Sequence, residues 1–277
     1  VPIVAAYEDT PGGHDALVLG AQLARLTGLT AVVATVYPTD GIGLSAIARD
    51  PRWREKAEAV ARERFDRARA VIDRDWDSAE VEFTPLGPGP AAPALVDHAD
   101  DIGAAVLVVG STAGGLVGRL APGKTVQRLL PMARCPIAIA PHGYRHFAEK
   151  RVASIGVAYD GTAESDQAIV VAVHLASRTG AALRFVVVAT DPGAVHEAKK
   201  TAQKGVSRVP AEIDTFVDVV IGRNVAHTLA NLPERTDLLV VGSRGYRFMR
   251  RLLLGSVAGA LVRSARYPVV VVPIPEP

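Results

Sequence analysis

The amino-acid sequence predicts an α/β protein built from two tandem copies of one domain, and three observations carry that expectation. First, the chain repeats itself. Residues 4–17, VAAYEDTPGGHDAL, align with residues 156–169, GVAYDGTAESDQAI, so that Tyr7 falls on Tyr159, Thr10 on Thr162 and Ala16 on Ala168. The match continues through Leu23 and Leu175, Gly28 and Gly180, and Val36 and Val188. Second, short continuous apolar runs alternate with segments of helical period, the pattern of a parallel sheet covered on both faces. Third, 277 residues, 49% of them hydrophobic and 22% charged, suffice for two domains that each bury a core.

The elements follow in order along the second copy. Residues 152–159 form an apolar strand. Residues 162–179 place Ala168, Ala172, Leu175 and Ala176 at helical spacing, and Gly180 stops that helix. Further strands are expected at 183–189, 213–221, 238–241 and 269–272, with a helix over 256–265. The first copy repeats this plan, but its offset from the second is 152 residues near the start and 132 near the end, where Gly110, Gly123, Arg134 and Pro136 match Gly242, Gly255, Arg266 and Pro268. The first copy therefore carries 20 more residues. They fall within 39–70, where DPRWREKAEAVARERFDRARAVI reads as a long amphipathic helix; the second copy has only a shorter segment near 194–204. Its mixture of Arg with Glu and Asp reads as a solvated face. The expected organisation is a Rossmann-like first domain over 1–141, a linker at 142–150, and a second Rossmann-like domain over 151–277. Each domain holds a five-stranded parallel sheet of order 3-2-1-4-5 with helices on both faces.

Charge and cysteine usage exclude several function classes. The net charge is +2, from 31 basic and 29 acidic residues, and no basic stripe argues for nucleic acid. The single cysteine, Cys135, forms no internal disulfide and reads as a small buried hydrophobe ahead of Pro136. His142 and His146 lie in the expected linker without a carboxylate partner pattern, so no metal site is expected. No apolar run reaches the ~18 residues of a membrane span. The chain opens in a strand without a leader pattern, so a cytoplasmic location is expected.

The stretch 242–258, GSRGYRFMRRLLLGSVA, carries the chemistry. It follows an apolar strand and runs into a helix. Gly242 and Gly245 let the backbone turn with its N–H groups unobstructed, and Gly255-Ser256 opens the helix. Helix N-termini present unpaired N–H donors and partial positive charge, so anions settle there. In an open α/β sheet, ligands bind beyond the carboxyl ends of the strands where strand order reverses. Order 3-2-1-4-5 puts that point between Asp160, after the first strand, and Gly242, at the end of the fourth. Asp160 is placed to accept from a ribose while the loop to Ser256 holds phosphates.

Gly242, Gly245, Gly255 and Ser256, with Asp160-Gly161-Thr162 after the first strand, resemble the universal stress proteins in their tandem-domain form; the likeness covers essentially the whole chain, once per copy. The family pattern is Gly, two residues, Gly, nine residues, then Gly-Ser or Gly-Thr. The resemblance implies a Rossmann-like, adenine nucleotide α-hydrolase-like fold that binds ATP, with or without Mg, with the adenine near the first two strands. It implies a site lined by Ala158, Asp160, Val188, Gly242, Arg244, Gly245, Gly255, Ser256 and Val257. It also implies dimerisation through the fifth strand.

The first copy departs from the pattern. Gly110 is present, but Ala113 replaces the second glycine, the closing pair is Gly123-Lys124, and Thr125 comes one place late. The strand-end acid is Glu8, followed by Asp9. Glu8, Gly110, Gly123, Lys124 and Thr125 thus outline a weakened or modified nucleotide site. Residues 118–125, GRLAPGKT, satisfy the Walker A expression, but a true P-loop starts directly after a strand, and here the strand ends by Gly110. PGGHDA, residues 11–16, resembles the SGGxDS loop of ATP pyrophosphatases but lacks both serines. The expected function is an ATP-binding stress-response sensor or adaptor. The alternatives are a slow ATPase or nucleotide-dependent enzyme, and a ligand-free interaction module. No catalytic constellation is legible, so binding is expected rather than turnover, at most a weak ATPase. The apolar fifth strands, 137–140 and 269–272, would be exposed edges. The two copies are therefore expected to pair through them as an intrachain pseudo-dimer, with a further homodimer left open.

Overall fold

The computed structural model describes residues 1–37, 51–75, 81–87, 89–112, 118–147, 151–232, 236–243 and 256–274. The first domain runs β1 (Ile3–Ala6), α1 (Pro11–Thr27), β2 (Ala31–Val36), α2 (Pro51–Asp75), β3 (Val81–Leu86), α3 (Ala91–Asp101), β4 (Val106–Gly110), α4 (Lys124–Leu129) and β5 (Ile137–Ala140). The second runs β6 (Ser154–Ala158), α5 (Ala163–Thr179), β7 (Ala182–Ala189), α6 (Val195–Val206), β8 (Thr215–Ile221), α7 (Val225–Ala230), β9 (Leu238–Gly242), α8 (Ser256–Leu261) and β10 (Val269–Val272).

Local chemistry repeats with the sequence. Thr10 caps α1 by accepting from the Gly13 N–H at 3.1 Å, and Thr162 caps α5 by accepting from Ser165 N–H at 3.3 Å. Both helices end on a left-handed glycine, Gly28 at φ 66° and Gly180 at φ 70°, a conformation that costs a side-chain-bearing residue more.

The strands form one sheet of order β3-β2-β1-β4-β5-β10-β9-β6-β7-β8. Within each domain this is the expected 3-2-1-4-5 order, all parallel. The fifth strands meet antiparallel, with Ala138 opposite Val270. The sheet edge that each domain would otherwise expose is paired with its counterpart, as expected from its apolar composition. Successive residues alternate between faces. Ile3 joins one core layer and Val4 the other, and each layer continues from the first domain into the second across the seam. On one face lie α1, α2, α5 and α6; α3, α4, α7 and α8 cover the other.

Two local readings differ from expectation. In α2, Ala61, Phe65, Ala68 and Ile72 are buried, and Phe65 meets Phe83 edge-on at 5.2 Å, but the helix's charged residues are not uniformly solvated: Arg64 is turned inward. In the stretch after β5, His142 does have a carboxylate neighbour. Asp15, with no exposed surface, lies 3.9 Å from His142 Nδ1 and accepts from the N–H groups of Gly143 (2.8 Å) and Arg145 (2.9 Å) and from Arg145 Nη1 (3.1 Å). The buried Tyr144 hydroxyl donates to Gln22 Oε1 at 2.5 Å. The segment is thereby fixed to α1 from its first residues. Among the described residues no helix is long and apolar enough to cross a membrane.

Candidate functional site

Each half of the sheet holds a cleft at the carboxyl ends of its first and fourth strands, where the strand order reverses. The second-domain cleft encloses about 350 Å³ between β6 and β9. Ala158, Val186, Val188 and Val241 give it an apolar floor, and Val225 and Leu229 of α7 and Val257 and Ala258 of α8 form its walls. Asp160 and Glu164 supply carboxylates at the rim. Asp160 sits in a tight turn in which Oδ1 accepts from Thr162 N–H at 3.1 Å and Thr162 Oγ1 at 2.5 Å, while Gly161 takes φ 80°. Gly242 is required at the end of β9, because a Cβ there would lie 2.3 Å from the Glu164 carbonyl oxygen. Beneath the rim the Tyr159 hydroxyl donates to Asp166 Oδ1 at 3.0 Å, and Arg208 pairs with the same carboxylate.

Of the residues the sequence singles out in this copy, Ala158, Asp160, Val188, Gly242 and Val257 line the cleft. Ser256 opens α8 with an exposed side chain and is not part of the lining. Arg244, Gly245 and Gly255 lie outside the described residues.

The first-domain cleft is larger, about 610 Å³. Glu8, Gly110, Gly123 and Thr125 line it, whereas Lys124, the first residue of α4, is exposed and off the lining. Ala113 lies outside the described residues. The glycines of PGGHDA have a packing role: a Cβ on Gly12 would meet the Ser111 carbonyl oxygen at 2.1 Å, and one on Gly13 the Glu8 carbonyl oxygen at 1.8 Å. They let the start of α1 press against β1 and β4. The first part of the Walker-like stretch, residues 118–120, packs at the domain seam, while its end reaches the cleft. Gly118 N–H donates to the His142 carbonyl at 2.7 Å, and Leu120 N–H to the carbonyl of Ala265 at 2.8 Å.

Sequence reasoning missed Arg64, which α2 delivers to this cleft. Its Nη1 donates to Thr35 Oγ1 and to the Val36 carbonyl, each at 3.2 Å, and Nη2 stands 4.0 Å from Glu8 Oε1. The signal was its place three residues after Ala61 and four before Ala68, on the buried side of the helix. One turn further on, Arg67 pairs with Asp9 and holds that carboxyl below the usual carboxylate range. The sequence reading also left out Leu95 of α3 and Tyr37 in the first cleft, and Val225 and Leu229 in the second. Nothing in their spacing separates a cleft wall from an ordinary core position. No group of three or more His, Cys, Asp or Glu is placed to hold a metal among the described residues. Burial raises the Cys135 thiol to about 11, leaving it protonated at neutral pH.

Fold and clefts together define a protein of two doubly wound α/β domains, each with a ligand-sized cavity at its switch point. The universal stress protein family model matches residues 2–141 and again residues 152–273, and the chain belongs to that family. A universal stress protein of Mycobacterium tuberculosis (strain ATCC 25618 / H37Rv) is 28% identical over 296 aligned residues, covering 98% of this chain and 99% of the relative. Among solved structures, a universal stress protein from Archaeoglobus fulgidus DSM 4304 shares the fold with a TM-score of 0.73 at 17% identity, over 98% of this chain and 97% of that one. A protein described as a putative universal stress protein, from Pseudomonas aeruginosa UCBPP-PA14, has a TM-score of 0.65 at 14% identity, over 98% and 92%.

Proposed function

We propose that the second domain binds ATP and that the chain serves as a nucleotide-responsive sensor or adaptor in a stress response. The observation that carries this reading is the cleft between β6 and β9, apolar in its floor and acidic at its rim, from which the Gly242-x₂-Gly245-x₉-Gly255-Ser256 segment departs. An adenine ring is received by Ala158, Val186 and Val188, and a ribose hydroxyl donates to Asp160. The triphosphate extends toward the backbone N–H groups of the glycine segment and the start of α8. Magnesium, when present, travels with the triphosphate. Membership of the universal stress family supports the physiological setting.

The test is calorimetric titration of the full chain with ATP, beside Asp160→Asn and the double variant Gly245→Val with Ser256→Ala. The expected result is saturable binding in the parent, weakened about tenfold by Asp160→Asn through loss of a charge-assisted hydrogen bond. The double variant is expected to lose the second-domain site. Absence of binding at millimolar ATP overturns the reading and favours an interaction module without a ligand.

A further inference from the structure

We propose that Arg64 makes the first-domain cleft selective for a nucleotide that bears, besides its 5′-phosphate, a second phosphate on the ribose 2′- or 3′-hydroxyl, a selectivity for which the described lining of the second cleft has no counterpart. The inference rests on the nucleotide reading above and assigns the two clefts different ligands.

Helices α2 and α6 occupy the same place in the two copies. Arg67 of α2 reaches Asp9, and Thr201 of α6 lies against Gly161, the counterpart of Asp9. The next residues, Ala68 and Ala202, are both fully buried. Arg64, three residues before Arg67, therefore stands where α6 carries the buried Ala198, three before Thr201.

The environment of Arg64 is unusual for a cation. Its side chain is only 18% exposed, and the groups that fix it, Thr35 Oγ1 and the Val36 carbonyl, are neutral acceptors at the carboxyl end of β2. They orient the guanidinium without neutralising it. The carboxylate facing it, Glu8, stands 4.0 Å away with a side chain 67% exposed. The neighbouring Asp9 is committed to Arg67 and to His14. A mostly buried cation is costly unless a close anion accompanies it. Among the described residues that anion is Glu8, at the outer limit of an ion pair and mostly exposed to water, so an incoming ligand anion can take its position on a preoriented guanidinium.

Location names the anion. Arg64 is held at the carboxyl end of β2, beside the switch point, where in doubly wound folds an acid meets a ribose hydroxyl or an arginine receives a phosphate carried in place of that hydroxyl's proton. Among the described residues the second cleft has the acid but no arginine. Its described lining contains Asp160 and Glu164 and no cation, so a 2′- or 3′-phosphate beside Asp160 meets no described cation there.

The experiment compares binding of AMP, adenosine 2′,5′-bisphosphate, adenosine 3′,5′-bisphosphate and inorganic phosphate to the full chain by calorimetry. One of the two bisphosphates is expected to bind at least about tenfold more tightly than AMP, the size of effect a charge-assisted pair gives. Arg64→Gln should abolish that preference while ATP binding at the second cleft is retained. Arg64→Lys, which keeps the charge but not the fork, should retain part of it. Equal affinity for AMP and both bisphosphates with ATP still bound, or a preference that survives Arg64→Gln, overturns the selectivity and leaves the nucleotide reading standing. Inorganic phosphate binding as tightly as a bisphosphate also overturns it, since the anion would then need no nucleotide. Failure of every nucleotide to bind overturns both readings.

Discussion

Tyr7 and Tyr159 stand at the same point of the two copies, each with its hydroxyl tied to the following helix, but their partners differ. Tyr7 meets His14 Nε2 at 3.1 Å, within a cluster that includes Asp9 and Arg67, whereas Tyr159 donates to Asp166, the carboxylate that Arg208 pairs with. The repeat made the tyrosines legible; it could not reveal Arg67 as a partner, because no spacing rule joins residues that far apart in the chain. Burial, reinforced by Asp9, raises the Tyr7 phenol to about 12. The folded state thus favours the protonated phenol, while an unfolded tyrosine titrates near 10. Between about pH 10 and 12 the unfolded chain loses its proton first, so this contribution is whole below pH 10 and falls as pH rises through that window. The expected loss over the whole window is at most about 3 kcal/mol, roughly half of it reached by pH 11. Urea unfolding at pH 8 and pH 11 tests it: Tyr7→Phe should show a smaller fall in stability between the two pH values than the parent.

Among the helices, those with strong caps and regular spacing were legible, as α5 shows: Thr162 and Gly180 bound it in sequence and structure alike. The six-residue α7 and the Pro-containing α3 were not singled out, because short segments carry too few periodic positions to declare a face. Yet both contribute walls to the clefts. Arg64 escaped for another reason: an Arg-rich, Glu-rich helix satisfies the rule for a solvated surface even when one guanidinium turns inward. The glycine pattern behind the second-domain loop was plain in sequence, while Gly245 and Gly255 themselves lie outside the described residues. At α1, Asp15 holds the segment after β5 through two backbone N–H groups and Arg145. Asp15→Ala leaves these donors unmatched and Arg145 without its carboxylate, and should cost about 3 kcal/mol, read as a lower urea midpoint with unchanged slope. A variant within about 0.5 kcal/mol of the parent would show that the segment is held by Tyr144 and its neighbours instead.

For the molecule as a whole, the antiparallel β5–β10 seam matters most. It was legible because two apolar edge strands cannot remain bare. Both core layers cross it, and Arg119 Nη1 adds a hydrogen bond to the Ser264 carbonyl at 3.1 Å. The two domains are therefore expected to unfold together, in one calorimetric transition. Val270 is fully buried opposite Ala138. Val270→Asp places an unpaired carboxylate inside the seam, at a cost of several kcal/mol, and should lower and split that transition. A parent showing two separate transitions would mean that the halves are stable without each other.

The seam also sets how two occupants of this molecule would relate. Because the strands on its two sides run in opposite directions, their carboxyl ends, and the clefts built on them, open on opposite rims of the sheet. The clefts are also four strand spacings apart along it, about 19 Å. That separation exceeds the Debye length of ~8 Å at physiological salt, so direct attraction or repulsion between the two bound molecules would be largely screened at the surface. Two ligands could be held at once without collision, each read by a different partner approaching from its own side. Any dependence of one occupancy on the other would have to travel through the strands between them, making the sheet itself the coupling element of a two-input device.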